Sequence, residues 1–425
     1  MDNDTRSLLN EIENIPIDGD MAECLSRMES AFSRHGYRAT FDGDTEEIAI
    51  IRLDAMGDMT LTTGFIREVR KNFPRMRITL IVSPAAYSLV ELCPYANEVL
   101  SFSPPMNGED LNQFWRRAAD FCAEHLWRKH LSLALCPQWG DTKTVTFMLS
   151  FMSGAIVRVG FEQCIEEMYL PDGSFPEKER TPQQTKDMLN AWLTHIIVTP
   201  KDLIHEVDRC LFMLTSIGLS VTDKSTEAWL SHDEIQRAKK LTGNNPGNKK
   251  IISLGIGSSK KNCRYPVEKY AAAINAIKGD ILILALGGDD VRDDAAKLAK
   301  LIPAGKIIPL AGKATVRETM AAISLSDIYI GNDTGLMHMA AAMGKPVVEL
   351  LMEAKDKENF LPEIYSSYKR FHPWGTRSIV LRPEHAMGEC ARPNLAAAGC
   401  IANEPHCITQ IDPAEIVRAY DELMR

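Results

Sequence analysis

No apolar run in this chain approaches the roughly eighteen residues that a membrane-spanning helix needs, and the opening MDNDTRSLLNEIENIPIDGD lacks the basic block and apolar core of a secretory leader. The expectation is a cytoplasmic protein, with peripheral contact at an inner membrane still open to it. Cationic excess is also missing. With 48 basic against 57 acidic residues and a net charge of −9, no broad nucleic-acid surface is expected, although a local basic cleft for an anionic substrate is compatible with that balance. The ten cysteines contain no Cys-x-x-Cys pair. Seven of them scatter from Cys24 to Cys263, many in apolar settings such as LSLALC ending at Cys136, as small buried side chains in a reducing compartment do. At 425 residues, 45% hydrophobic and 25% charged, the composition is neither disordered nor fibrous and suffices for two separately cored domains.

What is there is a β/α alternation that runs twice. Glu47 to Leu53 reads as a buried strand, Gly57 to Phe73 as a helix and Arg77 to Ser83 as the next strand. Glu98 to Phe102, Leu131 to Cys136 and Ala155 to Gly160 extend this series into a parallel sheet. The turn-forming GNNPGNKK, Gly243 to Lys250, precedes a second series: strands at Lys250 to Gly255, Asp280 to Leu286, Lys306 to Leu310, Asp327 to Ile330 and Pro346 to Leu351. The pattern predicts an α/β chain of two Rossmann-like parallel-sheet domains facing a cleft. Residues 1–44 form an N-terminal helical extension, 45–185 the first domain, 186–245 a helical connector and 246–425 the second domain.

Two loops carry chemistry. In DIYIGNDTGLMHMAAAMGKPVVEL, a polar Asn-Asp-Thr-Gly turn joins a buried strand to a helix whose free N–H groups point back at the turn, which makes an anion site. A diphosphate would be held there by backbone donors and the Thr334 hydroxyl. Asp333 repels phosphate, so its partners are neutral hydroxyls such as those of a sugar attached to that diphosphate. The other use of Asn332, Asp333 and Thr334 is to cap the helix. In RLDAMGDMTLTT, Gly57 allows a tight turn and Asp58 falls in the first helical turn, where the dipole stabilises a carboxylate that can accept a proton. The alternative makes Asp58 a cap and Asp54 a solvated loop acid.

IAIIRLDAMGDMTLTTGFIREVRKNFPRMRITLIVSP and GNDTGLMHMAAAMGKPVVEL, with SLGIGSSKKNCRYPVEKYAAAI, LILALGGDDVRDDAAKLA and LAGKATVRETMAAISLSD between them, resemble glycosyltransferase family 9, the ADP-heptose:lipopolysaccharide heptosyltransferase family. The resemblance covers about residues 46–420. It implies an inverting GT-B enzyme that needs no cofactor or metal for catalysis. By position, it makes Asp58 the base for the acceptor hydroxyl and puts Arg52 and Gly57 at an anionic glycolipid or glycan acceptor. It gives the donor's sugar hydroxyls to Asp333, its diphosphate to Thr334, Gly335 and the helix N-terminus, an assisting or core role to His338, and the ribose to Asp289 or Asp290. The chain departs from the family at one lysine: Cys263-Arg264-Tyr265-Pro266 stands where Lys-Arg-Trp-Pro is usual. Lys260, Lys261 or Arg264 must then supply the phosphate cation, and Lys261 or Arg264 is expected to reach it.

Cys390, Cys400 and Cys407 are spaced C-x9-C-x6-C. Some relatives carry a cysteine-rich iron-binding element in this region. A structural iron or zinc site with His385 or His406 as fourth ligand is one reading, reduced cysteines or a single disulfide the other. The expected partners are a nucleotide-sugar donor and a surface glycan such as lipopolysaccharide core. Alternatives are a protein O-heptosyltransferase, a sugar-nucleotide epimerase of the same architecture and a non-catalytic nucleotide-sugar binding protein.

Overall fold

The computed structural model describes residues 2–15, 21–37, 47–106, 108–139, 143–162, 181–243, 249–359, 361–391 and 402–425. The chain divides into two compact units. The first comprises Met1–Ala55, Phe65–Leu203 and Arg209–Asp223, the second Met56–Gly64, Ile204–Asp208 and Lys224–Arg425. Each is a doubly wound α/β unit.

The first sheet contains β1 (Glu47–Arg52), β2 (Arg77–Val82), β3 (Glu98–Ser101), β4 (Leu131–Cys136), β5 (Val157–Phe161) and β6 (His195–Ile197), all parallel, in the order β3-β2-β1-β4-β5-β6. The second contains β7 (Lys250–Gly255), β8 (Ile281–Leu286), β9 (Ile307–Pro309), β10 (Ile328–Asn332), β11 (Val347–Leu350) and β12 (Ser378–Leu381), also parallel, in the order β12-β11-β10-β7-β8-β9. Both orders are the 3-2-1-4-5-6 of a dinucleotide fold, so each sheet has a switch point, at β1/β4 and at β7/β10. The central strands are buried along their whole length, as EIAIIR in β1 and IYIGN in β10 show, which is why they read as continuous apolar runs. Among the described residues no helix is long and apolar enough to cross a membrane.

Three segments differ from the sequence reading. Residues 186–245 do hold helices, Glu206–Ser216 and His232–Leu241 among them, but β6 lies there too and extends the first sheet past residue 185. It is three residues long, at an edge, with two exposed side chains, so it lacks any periodic signal. SIVL, beyond the strands read from the sequence, forms a further edge strand, β12, whose four residues are all half-buried. The first helices, Asn3–Glu13 and Met21–Arg34, are no appendage: Leu8, Ile12, Met28 and Phe32 are buried in one core with Trp115, Trp127 and Phe147. The second core joins Ile252, Leu254, Ile330 and Val348 to Tyr270 and Tyr420.

Candidate functional site

The switch point of the second sheet is organised by Asn332, the last residue of β10. Its fully buried carboxamide accepts from Tyr265 N at 3.0 Å and from Tyr270 Oη at 3.0 Å, and donates to Ile256 O at 3.0 Å and Gly257 O at 3.2 Å. Four bonds satisfy the amide and tie β10 to the loop after β7. Asn332 is thus a structural pin, not a cap or an anion ligand. Beside it Tyr329 lies flat over two strands. A Cβ at Gly255 would sit 1.8 Å from Tyr329 Oη, and one at Gly331 would sit 2.8 Å from it, so these glycines are the seat of that ring.

The turn that follows is not closed by a side-chain cap. Thr334 is the N-cap of the helix Gly335–Ala342, yet its side chain makes no capping hydrogen bond. The hydroxyl is buried without a well-formed partner, the Tyr329 phenol being its polar neighbour. Met337 and His338 donate the first helical bonds to Thr334 O, so the amides of Gly335 and Leu336 precede the helical ladder. Asp333 is half-buried; burial first, and the Glu353 carboxylate second, push its acid up to about 6 against the pull of Lys260. His338 is buried with Nδ1 unpartnered, and burial, then His205 and His372, lower it to about 3, so its imidazole is neutral at pH 7.

The two sequence loops meet within the second unit, to which Met56–Gly64 belongs. A Cβ at Gly57 would lie 2.9 Å from His338 Cδ2 and 3.6 Å from Gly335 Cα, and one at Gly335 would lie 3.2 Å from Gly57 N. Gly57 is therefore a glycine of close approach; its φ is not in the left-handed region, which corrects the tight-turn reading. Asp58 follows in the first turn of the helix Met56–Asn72, half-buried, with its carbonyl accepting from the Thr62 hydroxyl at 2.8 Å. Arg52 differs from expectation. It is fully buried, and its guanidinium donates to Asp54 at 2.9 and 3.2 Å, to Pro137 O at 3.2 Å and to Cys210 Sγ at 3.0 Å. So enclosed a side chain holds the Asp54 loop in place and offers no face to an anionic acceptor; nor is Asp54 a solvated acid.

The basic residues are sorted by their partners. Arg264 donates to Ser258 O at 2.9 and 2.7 Å and pairs with Asp290, which braces the loops after β7 and β8. Asp289 is exposed and pairs with Arg292. Lys261 is exposed and turned to Glu404, 3.9 Å away. Lys260 is the lysine whose field reaches Asp333. Cys263, at the lysine position of the resemblance, rests its Sγ 3.3 Å from Met352 Sδ.

Near the C-terminus Cys390, His406 and Cys407 place one ligand atom each within 4.8 Å of one another. Cys407 Sγ is 3.1 Å from His406 Nδ1 and accepts from Met387 N at 3.3 Å. Two thiols and an imidazole are a donor set that fits zinc or iron. Cys400 lies outside the described residues. His385 is exposed, faces Asp356 at 3.4 Å and is not a member of this group.

Residues 178–385 match the family model described as Glycosyltransferase family 9 (heptosyltransferase). Lipopolysaccharide heptosyltransferase 3 of Escherichia coli is 22% identical over 302 residues, 69% of this chain and 80% of that protein. Among solved structures, a glycosyl transferase family 9 protein from Veillonella parvula has a TM-score of 0.67 at 17% identity, covering 91% of this chain and 99% of that one. E. coli ADP-heptose lps heptosyltransferase II gives 0.62 at 15% identity over 89% and 98%. E. coli heptosyltransferase WaaC with ADP gives 0.60 at 14% over 88% and 99%. These structures share the GT-B type of fold with this chain.

Proposed function

Because the chain belongs to glycosyltransferase family 9 and is a glycosyltransferase, we propose that it moves a heptose or related sugar from an ADP-linked donor to a lipopolysaccharide core or similar surface glycan. The observation that carries this reading is the meeting of the two loops: the helical turn bearing Asp58 packs through Gly57 on Gly335 and His338, the start of the helix with the unclaimed N-terminus. In the proposed step the Asp58 carboxylate takes the proton of the acceptor hydroxyl. That oxygen attacks the anomeric carbon from the face opposite the nucleotide, the bond to the β-phosphate oxygen breaks, and the nucleoside diphosphate leaves with the electron pair. The Gly335 and Leu336 amides, the Thr334 hydroxyl and Lys260 receive the growing charge on the diphosphate. Asp333 accepts from the sugar hydroxyls. The site of action is the cytoplasmic face of the inner membrane, where donor and lipid-linked acceptor meet.

The test has two parts. Calorimetric titration with ADP, UDP and GDP is expected to favour ADP; preference for UDP or no binding refutes the donor. Turnover of ADP-heptose on a heptose-accepting lipopolysaccharide precursor should fall at least about a hundredfold in Asp58→Ala with ADP affinity unchanged. Normal turnover in that variant removes Asp58 from the mechanism.

Cys390, His406 and Cys407 are proposed to hold a structural zinc or iron ion, on the strength of their convergence. Such an ion would brace the segment before the last helix, Pro413–Leu423, and takes no part in transfer. Elemental analysis of the purified protein finding less than about a tenth of an equivalent of either metal overturns this assignment.

A further inference from the structure

A charged residue interrupts the apolar strand β11. Glu349 lies among Val347, Val348 and Leu350, is 1% exposed, and keeps one carboxyl oxygen, Oε2, without a partner. An ionised carboxylate in that position would be strongly disfavoured by its loss of hydration, so the side chain needs either a cation or its own proton. The available cation is committed elsewhere. Arg382 donates to Glu353 O at 2.9 Å, to Glu353 Oε1 at 3.3 Å and to Ala354 O at 3.1 Å, and pairs with Glu358. Glu353 in turn accepts from Ser366 Oγ and Ser367 N, both at 2.6 Å.

Register places Glu349 under the donor turn. It pairs with Gly331 of β10, two residues before Asp333, which opens the turn just past the end of that strand. The face of β10 that Gly331 occupies also holds Tyr329, paired with Ser253 of β7; both are fully buried, and neither Tyr329 Oη nor Ser253 Oγ has a well-formed hydrogen bond. The Tyr329 phenol, spread over Gly255 and Gly331, borders Glu349 and the Thr334 hydroxyl. Buried hydroxyls and a carboxyl with spare hydrogen-bonding capacity, beneath a turn without a side-chain cap, form a layer prepared to support something bound above it.

We infer that Glu349 is a positioning residue for the donor sugar, acting from beneath as a hydrogen-bond donor to Asp333, so that Asp333 is the single charged acceptor presented to the sugar hydroxyls. This rests on the proposed role of Asp333. Burial comes first, then Asp333 and Glu353, among the influences that keep the Glu349 acid well above the ordinary carboxylate range, with Arg382 alone opposing; Glu353 and Lys260 also act on Asp333. The principle is that of a carboxylic acid held neutral so that it can donate. A negative Glu349 would instead place a further charge under a turn that must accept a diphosphate.

The experiment is calorimetric titration with ADP and with ADP-heptose between pH 5 and 9, on the full chain, for wild type, Glu349→Gln and Glu349→Met. Glutamine is neutral, of the same shape, and still a donor; methionine fills the volume but cannot donate. The expected result is that Glu349→Gln keeps both affinities and their pH profiles within about threefold, whereas Glu349→Met loses about tenfold in preference for ADP-heptose over ADP with ADP affinity retained. A sugar preference unchanged in Glu349→Met overturns the inference, as does ADP binding tightened tenfold or more by Glu349→Gln, since the removed group was then charged. Absence of wild-type binding to either nucleotide overturns the donor reading and this inference together. The glutamine variant also guards against misfolding, because its retained ADP binding reports an intact turn.

Discussion

Gly57→Ala tests the contact on which the site is built. The added Cβ would lie 2.9 Å from His338 Cδ2 and 3.5 Å from His338 Nε2. That is about 0.6 Å or more inside the ordinary separation of two carbon atoms. His338 is 5% exposed and packed in its helix, and the remaining neighbour, Gly335 Cα at 3.6 Å, is backbone, so little can give way. Overpacking of this kind costs about 1–3 kcal/mol, while the gain in helix propensity on replacing Gly is at most about 1 kcal/mol. Net destabilisation of about 1–2 kcal/mol is therefore expected for the second unit. The assay is calorimetric unfolding, which resolves separate transitions if the two units melt apart. The decisive comparison is a double-mutant cycle with His338→Ala. Removing the imidazole makes room, so Gly57→Ala should cost less than about 0.5 kcal/mol in that background, a coupling of about 1 kcal/mol or more. Equal cost in both backgrounds refutes the contact. Turnover should respond more strongly than stability, by about a hundredfold for a displacement near 1 Å, because Asp58 is the next residue.

Asn332→Ala should be the most destabilising change in this region, about 3 kcal/mol or more by calorimetry, since it strands Tyr265 N, the Tyr270 hydroxyl and two carbonyls that the carboxamide satisfies. Thr334→Ala should leave the melting temperature within about 2 °C, because the hydroxyl caps nothing, yet weaken ADP binding by about fivefold on titration. Asp333 fixes a pH dependence: its acid rises from 3.8 to about 6 in the fold, so the native state holds the proton more tightly than the unfolded chain. Stability of the second unit from this group is therefore gained as pH falls from about 6 towards 3.8 and lost as pH rises through that window. Asp333→Asn should flatten that part of the stability profile, while in wild type the preference for ADP-heptose over ADP should strengthen as pH rises through about 6.

The central strands were legible because they are buried on both faces, so β8 reads as an unbroken apolar run and β1, β4 and β7 as runs with few polar interruptions. The edge strands β6 and β12 carried no such mark; pairing in the sheet makes them strands, and pairing is not local. The turn from Asn332 to Gly335 was also legible, but the division of labour within it was not. Asn332 and Thr334 are both good capping types, and only the fold shows one spent on four hydrogen bonds and the other left unused as a cap. Arg52 was misjudged because its role was carried over by position from the resemblance, whereas Asp54, Pro137 and Cys210 enclose it. Glu349 did leave a trace: an acid inside PVVELL breaks the apolar run, and that anomaly marks the layer beneath the turn.

The seating of Tyr329 has a consequence for how this sequence can change over time. A methyl group at position 255 would fall 1.8 Å from the phenolic oxygen and one at 331 only 2.8 Å from it, so neither glycine can be replaced while the tyrosine stays. Positions 255 and 329 form one heritable pair, in which a smaller residue at 329 must arrive first to release 255, whereas 331 stays glycine in either case because a methyl group there would also fall 2.5 Å from Gly255 O and 2.8 Å from Gly255 Cα. Related chains are expected to keep glycine at 331 and to fall into two groups elsewhere, tyrosine at 329 with glycine at 255 or a small residue at 329 with freedom at 255, with few sequences between them.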